Sequence, residues 1–191
     1  VVALGAAIAV TIGGFSLVWA TYFADLPFEH GDRIVVVRDV MQPDPVTTRP
    51  TLGMYRAWEQ HQTSLDLIGA ADLRSHEVSD GAGGVVRYPE AVMTASGFDL
   101  AGVPPLRGRV LRVSDAAPGA TPVVVVGYRV WHALFGGDPE LVGRTVTVDG
   151  ADREVVGVMP DGFRFPISED LWVPLTRVAP VGAEPPLLVF G

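Results

Sequence analysis

The first 23 residues, Val1 to Phe23, hold no charged side chain, and everything after Ala24 reads as a water-exposed, acidic body. An α-helix crosses a bilayer core with about 20 predominantly apolar residues. At ~1.5 Å per residue this stretch would reach roughly 34 Å, enough to span with some tilt. A charge at the centre of such a helix costs on the order of 3 kcal/mol, and none is present. The sequence therefore predicts a transmembrane helix over residues 1–24 and a water-exposed domain over 25–191, with the side of the membrane left open by the charge pattern. Gly5, Ala9 and Gly13 recur at every fourth position, a helix face on which another helix could pack closely. Trp19, Tyr22 and Phe23 gather beside the first charge, Asp25, as aromatic rings do at the headgroup level. A secretory signal peptide is the plainer alternative. Its apolar part usually runs about 7–15 residues after a basic start, and here the run is longer and no basic start is present.

All of the charge lies in the body: 14 basic against 22 acidic residues, a net charge of −8. Every basic residue is Arg and none is Lys. A phosphate-binding loop, a kinase site and a Schiff-base site all need a lysine, so no familiar ATP site fits this chain. An acidic balance without a basic stripe argues against nucleic acid as a partner. Cysteine is absent, so neither a disulfide framework nor a thiolate metal site is available.

Short β-branched runs predict strands over Arg33–Asp39, Ser75–Ser79, Val85–Thr94, Arg144–Val148 and Arg153–Val158. Val123–Val126 is a continuous apolar run suited to a strand buried on both faces. Asp149-Gly150 is a strong two-residue hairpin signal, although the alternation around Ala151 and Asp152 leaves the register open. Residues 80–84 read as a turn between two strands. Thr51 can cap a helix that runs to His61 with Met54, Tyr55 and Trp58 on its apolar face. A second helix is expected over Tyr128–Phe135, facing inward through Val130, Leu134 and Trp131 and ending at Gly136-Gly137. Phe98–Gly102 reads as a short helical turn, Leu65–Leu73 stays ambiguous, and Met41–Pro50 is a proline-rich loop. The proline-bracketed segment with Phe163, Phe165, Leu171 and Trp172 is expected to pack on the sheet.

No catalytic, cofactor or metal constellation emerges from the residues. His30, His61, His76 and His132 form no HxH or HxxxH pair and read as surface or capping histidines. Residues 81–84 (GAGG) lack the third glycine of a dinucleotide loop and precede a strand. Ser96-Gly97 is a strand-to-helix cap, not a nucleophile elbow. The acid pair Glu169-Asp170 has no accompanying base and reads as solvated. Trp131, Phe135, Phe163, Phe165 and Trp172 could line a pocket, with a packed core as the default.

From Trp131 the chain reads WHALFGGDPELVGRTVTVDG, then VVGVMPDGFRFP, then DLWVPL at Asp170–Leu175. This combination resembles the MacB-like periplasmic core domain of FtsX-type ABC transporter permeases, in particular the duplicated-permease type. Leu26-Pro27-Phe28 followed by Asp32-Arg33-Ile34-Val35 is similar to the family's passage from its first membrane helix into that domain. Gly97-Phe98, Gly102-Val103 and Gly108-Arg109 are similar to its middle. One departure is Arg112-Val113-Ser114-Asp115, which supplies one acid where the family continues into an acidic pair. The resemblance implies an α+β fold: an N-terminal transmembrane helix, then a porter-like mixed α/β extracytoplasmic domain with room for a small β-rich subdomain. The domain is expected to be incomplete at its C-terminal end.

The resemblance also implies a non-catalytic permease segment in the bacterial inner (cytoplasmic) membrane, coupling helix movement to substrate or partner engagement outside it. No catalytic residue, cofactor or metal comes with it. The implied partners are a cytoplasmic ATPase subunit or domain, other permease helices in a dimeric transporter, the lipid bilayer and a periplasmic adaptor. A membrane-tethered extracytoplasmic sensor or ligand-binding module is the alternative, and an extracytoplasmic hydrolase is a third class that lacks a visible constellation.

Overall fold

The structure is a computed structural model that describes residues 33–41, 46–79, 85–176 and 186–191. The transmembrane-helix expectation, His30 and the turn at 80–84 lie outside the described residues. Among the described residues no helix is long and apolar enough to cross a membrane.

The run Arg33–Asp39 does not form one strand. It divides into β1 (Val36–Val37), which joins the main sheet, and β2 (Asp39–Met41), which pairs only with β3 (Val46–Thr48). Helix α1 (Leu52–His61) starts where expected, with the Thr51 hydroxyl accepting from the Met54 amide at 3.4 Å. Its inward face includes the expected Tyr55 and Trp58 and extends to Leu52. Leu52 and Tyr55 are buried, whereas Met54 and Trp58 are half-buried, because the helix rests on Ile68, Ala70, Leu187 and Val189. The ambiguous segment resolves into a loop followed by β4 (Gly69–Ser79), which pairs along its length with β5 (Val85–Met93) from Ala71↔Met93 to Ser79↔Val85.

After β5 come α2 (Ser96–Ala101), β6 (Arg107–Gly108) and a 3-10 turn at Val113–Ala116. Then follow β7 (Val123–Val126) and α3 (Tyr128–Phe135). β8 (Thr145–Val148) and β9 (Ala151–Val158) form the predicted hairpin, and its register is Val148↔Ala151 through Thr145↔Glu154. Asp149 and Gly150 both take positive φ, 52° and 72°, which is the turn that matches the twist of two flanking strands. β10 (Leu171–Pro174) and β11 (Leu188–Phe190) complete the set.

The main sheet runs β1-β11-β4-β5-β10-β7-β9-β6, and β8 bridges β9 back to β4. Strands β4, β5, β10, β7, β9 and β8 thus close a hydrogen-bonded circuit, which leaves no free edge around that loop. Two pairings in it are parallel, β5 with β10 and β7 with β9. Beside β9, a side chain at Gly157 would sit 2.1 Å from the Arg109 carbonyl, so the approach of the two backbones requires glycine.

β7 is buried on both sides as its sequence predicts. Val123 and Val125 enter a core with Met93, Phe98, Phe163, Phe165, Trp172 and Phe190. Val124 and Val126 enter another with Val78, Val130, Trp131, Leu141, Val148 and Val155. The segment expected to lie on the sheet is corrected in part. Phe163 and Phe165 do pack against it, but Leu171–Pro174 is one of its inner strands, between β5 and β7. Partner strands on both sides draw this short segment inward, which local composition cannot show.

Candidate functional site

A groove of about 270 Å³ lies between α1, α2, the 3-10 turn and the ends of β5 and β10. Its apolar lining includes Leu52, Met93, Leu111, Val113, Pro174 and Leu175. Several polar groups that reach it are already engaged. The Tyr55 hydroxyl donates to Glu59 Oε1 at 2.9 Å and also lies 3.4 Å from the Ile68 carbonyl. Burial and the Glu59 carboxylate push that phenol up to about 12. Thr94 Oγ1 accepts from the Ala70 amide at 3.0 Å, and Ser96 Oγ donates to the Ile68 carbonyl at 2.9 Å, which ties α2 to β4. Ser96 therefore tethers α2 to Ile68, just before β4, and is not a helix cap: the N-cap residue is Ala95, with no side-chain bond.

Two guanidinium groups line the groove without an ion pair among the described residues, Arg56 and Arg112. Arg56 Nη2 is buried and has no hydrogen-bond partner among the described residues. The turn that carries Arg112 is fixed by Asp115, whose carboxylate takes both Arg109 nitrogens, at 2.7 and 3.0 Å, and the Arg112 amide at 2.8 Å. Burial works against the Asp115 charge, but these bonds outweigh it and hold the carboxyl below its usual range.

A second polar group lies on the other face of the sheet. Glu90 on β5 is fully buried, and neither of its oxygens has a hydrogen-bond partner among the described residues. His76 Nδ1 stands 3.2 Å from Glu90 Oε1, and His76 Nε2 lies 3.7 Å from Asp149 Oδ2. Burial raises the Glu90 carboxyl, with His76, Arg153 and Arg74 opposing the rise. Arg74 is itself held by Asp72, Nε to Oδ2 at 2.7 Å. None of these residues lines the groove.

The other residues singled out from the sequence are dispersed. His61 Nδ1 lies 2.9 Å from the Ala57 carbonyl at the end of α1, and His132 is exposed beside the Tyr128 and Trp131 rings. His76, expected at the surface, is mostly covered because β8 and the Asp149 turn close over β4. The expectation of a solvated Glu169-Asp170 pair is also corrected, since both side chains are buried. Glu169 accepts from the Ile167 and Ser168 amides at 2.8 and 3.0 Å, while burial still raises its carboxyl. Asp170 is bonded to Arg129. Phe163, Phe165 and Trp172 share one core and Trp131 belongs to the other, so the aromatic residues line no common pocket. Among the described residues no three His, Asp or Glu side chains gather as a metal site. Sequence reading missed Glu90 and the groove. The local trace of Glu90 is a carboxylate at the same strand parity as Tyr88 and Val92 in the segment Val85–Met93.

The model of the MacB-like periplasmic core domain matches residues 1–185. The chain belongs to that family. No curated protein matches it in sequence. The fold of this MacB-like chain is similar to the periplasmic region of MacB from Actinobacillus actinomycetemcomitans, at 16% identity and a TM-score of 0.63, over 82% of this chain and 72% of the other. It is similar to a domain of a putative permease protein from Porphyromonas gingivalis, at 16% identity and a TM-score of 0.64, over 85% and 76% of the two chains. The extracellular domain of the noncanonic ABC-type transporter YknZ from Gram-positive bacteria matches at 14% identity and a TM-score of 0.61, over 75% and 73%. At these identities the likeness shows a shared fold, which is the mixed α/β architecture expected from the sequence. In this MacB-like domain the groove lies where α1, α2 and the 3-10 turn meet the ends of β5 and β10, two strands of the closed circuit.

Proposed function

We propose that the chain is a non-catalytic, extracytoplasmic part of an ABC transporter permease, which passes the movement of membrane helices to a substrate or partner outside the membrane. The observation that carries this reading is the pairing of the two ends of the described body. Val35 donates to the Gly191 carbonyl at 2.9 Å and Gly191 donates to the Val35 carbonyl at 3.0 Å, beside the β1–β11 pair. Residues 33 and 191 are thus neighbours at one edge of the sheet. A pull on the chain at residue 33 acts on β1 and β11, and through β11 on β4 in the closed circuit. A circuit of paired strands is a stiff lever, since moving one strand alone breaks a ladder of hydrogen bonds. Membership of the family and the uncharged run at 1–23 support the same reading. The cytoplasmic ATPase, the other permease helices and a periplasmic adaptor are its proposed partners.

The chain has no cysteine, so one introduced thiol reports one position. Ala117 is exposed in the loop after the 3-10 turn. In intact cells whose outer layer is permeabilised, Ala117→Cys is expected to react with a membrane-impermeant maleimide without lysis. Protection until lysis would refute the extracytoplasmic placement. The purified chain is expected to hydrolyse no ATP, and robust turnover would refute the non-catalytic role.

A further inference from the structure

We propose that the groove between α1, α2 and the 3-10 turn binds a small amphipathic anion, an apolar tail carrying one carboxylate or phosphate group. The volume, about 270 Å³, lies near the lower end of small-molecule pockets, and the mixture of apolar wall and few polar groups is the composition such pockets share. Met93 and Leu111 are buried at its inner side, and Val113 and Leu67 expose apolar surface at its rim. This arrangement suits a tail that starts at the surface and ends against the core.

The head group follows from the charges. Arg56 Nη2 is buried and lacks an acceptor among the described residues, and Arg112 has no ion-pair partner among them. A guanidinium offers a flat pair of donors that matches a carboxylate or phosphate, and a buried donor without an acceptor is a cost that such a ligand removes. The groove also contains Glu59 and Asp99. Glu59 already accepts the Tyr55 hydroxyl, and Asp99 is exposed in the first turn of α2, where water and the helix end stabilise its charge. The net charge of the lining is therefore close to zero, and the preference for an anion comes from placement: two guanidinium groups without an ion pair among the described residues, one with a buried nitrogen that lacks an acceptor, against carboxylates that are engaged or solvated. The hydroxyls of Thr94 and Ser96 are bound to Ala70 and Ile68 and leave the head group to the two arginines. This inference does not depend on the transporter reading.

The test uses the full chain in nanodiscs of zwitterionic lipid. The probe is an eight-carbon carboxylate with a diazirine at its far end, compared with the corresponding eight-carbon ammonium probe. After illumination the labelled residues are mapped by mass spectrometry. The carboxylate probe is expected to label residues around Leu111 and Val113, and the ammonium probe is expected not to. Excess octanoate and octyl phosphate compete in separate arms, and the stronger competitor identifies the head group. Arg56→Gln is expected to reduce labelling about tenfold, as loss of a charge-assisted bond does, and Arg112→Gln to reduce it less. Hydrogen-exchange protection of β4 and β5 verifies that each variant is folded. If Arg56→Gln fails that check, Arg56→Lys takes its place and is expected to give an intermediate loss. Equal labelling by the two probes, labelling confined to residues outside the groove, or labelling unchanged in folded Arg56 and Arg112 variants would overturn the proposal.

Discussion

The two faces of the main sheet are packed in different ways. One face is aromatic: Phe98, Phe163, Phe165, Trp172 and Phe190 fill it with ring-to-ring contacts of 4.8 to 6.0 Å. Its one buried indole donor is satisfied, Trp172 Nε1 to the Phe165 carbonyl at 2.7 Å. The other face is built largely of valine and carries a buried carboxylate, Glu90, whose oxygens have no hydrogen-bond partner among the described residues, with His76 Nδ1 as a charge neighbour 3.2 Å from one of them. The same strands serve both, because alternate residues point to opposite sides. What differs is polar satisfaction. The aromatic face is fully apolar apart from a paired donor, and the valine face retains a charge site that burial penalises.

The largest break in this comparison is expected from Trp172→Ala. It removes a fully buried indole and leaves the Phe165 carbonyl unpaired, a loss of about 3–5 kcal/mol in chemical denaturation. A folded variant within 1 kcal/mol of wild type would show that the aromatic face does not hold the sheet. Val124→Ala and Val125→Ala test both faces from one strand. Each removes a fully buried side chain, so each is expected to cost about 2 kcal/mol. A loss at only one of them would mean that β7 is covered on one side.

Glu90 sharpens the contrast through pH. Its folded-state carboxyl is raised by burial above the ordinary value of 4.5. A raised group binds its proton more tightly in the folded state, so its contribution is fully present below about pH 4.5 and is lost as pH rises through the folded value. Glu169 acts in the same direction. Wild-type stability from these groups is expected to decline from the acid range toward higher pH, and Glu90→Gln to flatten part of that decline. Glu90→Met is expected to leave the melting temperature at pH 8 unchanged or raised, since a fully buried carboxyl that burial penalises is replaced by an apolar side chain. A clear drop in melting temperature would mean that His76 and Arg153 stabilise the carboxylate more than burial penalises it.

The smallest effect is expected from Asp115, where the sign reverses. Its folded carboxyl lies below the ordinary 3.8, so its contribution is present above that value and is lost as pH falls through the folded one. Asp115→Asn should lower stability at neutral pH by about 1 kcal/mol or less and should narrow its gap to wild type in strong acid. A gap that widens in acid would contradict the Arg109 pairing.

Much of the fold was legible where local rules decide. Thr51 as a cap, Val123–Val126 as a doubly buried strand and Asp149-Gly150 as a hairpin turn follow from side-chain oxygen, apolar continuity and permitted φ, and all appear in the structure. The inward face of α1 holds Tyr55 and Trp58 as expected, but its most buried residues are Leu52 and Tyr55, because the strands and the Leu187 segment beneath the helix set how deeply each side chain sits. Glu169-Asp170 was misread for a similar reason. Two adjacent acids are usually hydrated, but here loop amides and Arg129 replace water. The groove left no signal, since its residues come from segments far apart in the chain that hold no common motif.

The sequence by itself determined the uncharged opening stretch, the lysine-free acidic body, the family and the strands and turns that depend on near neighbours. Tertiary structure alone decided that Leu171–Pro174 lies between β5 and β7, that Glu90 is shut away from water, and that Arg56 and Arg112 face one groove. The reason is physical: backbone torsion and side-chain alternation act over a few residues, whereas burial is set by whichever distant strand or helix the chain brings alongside.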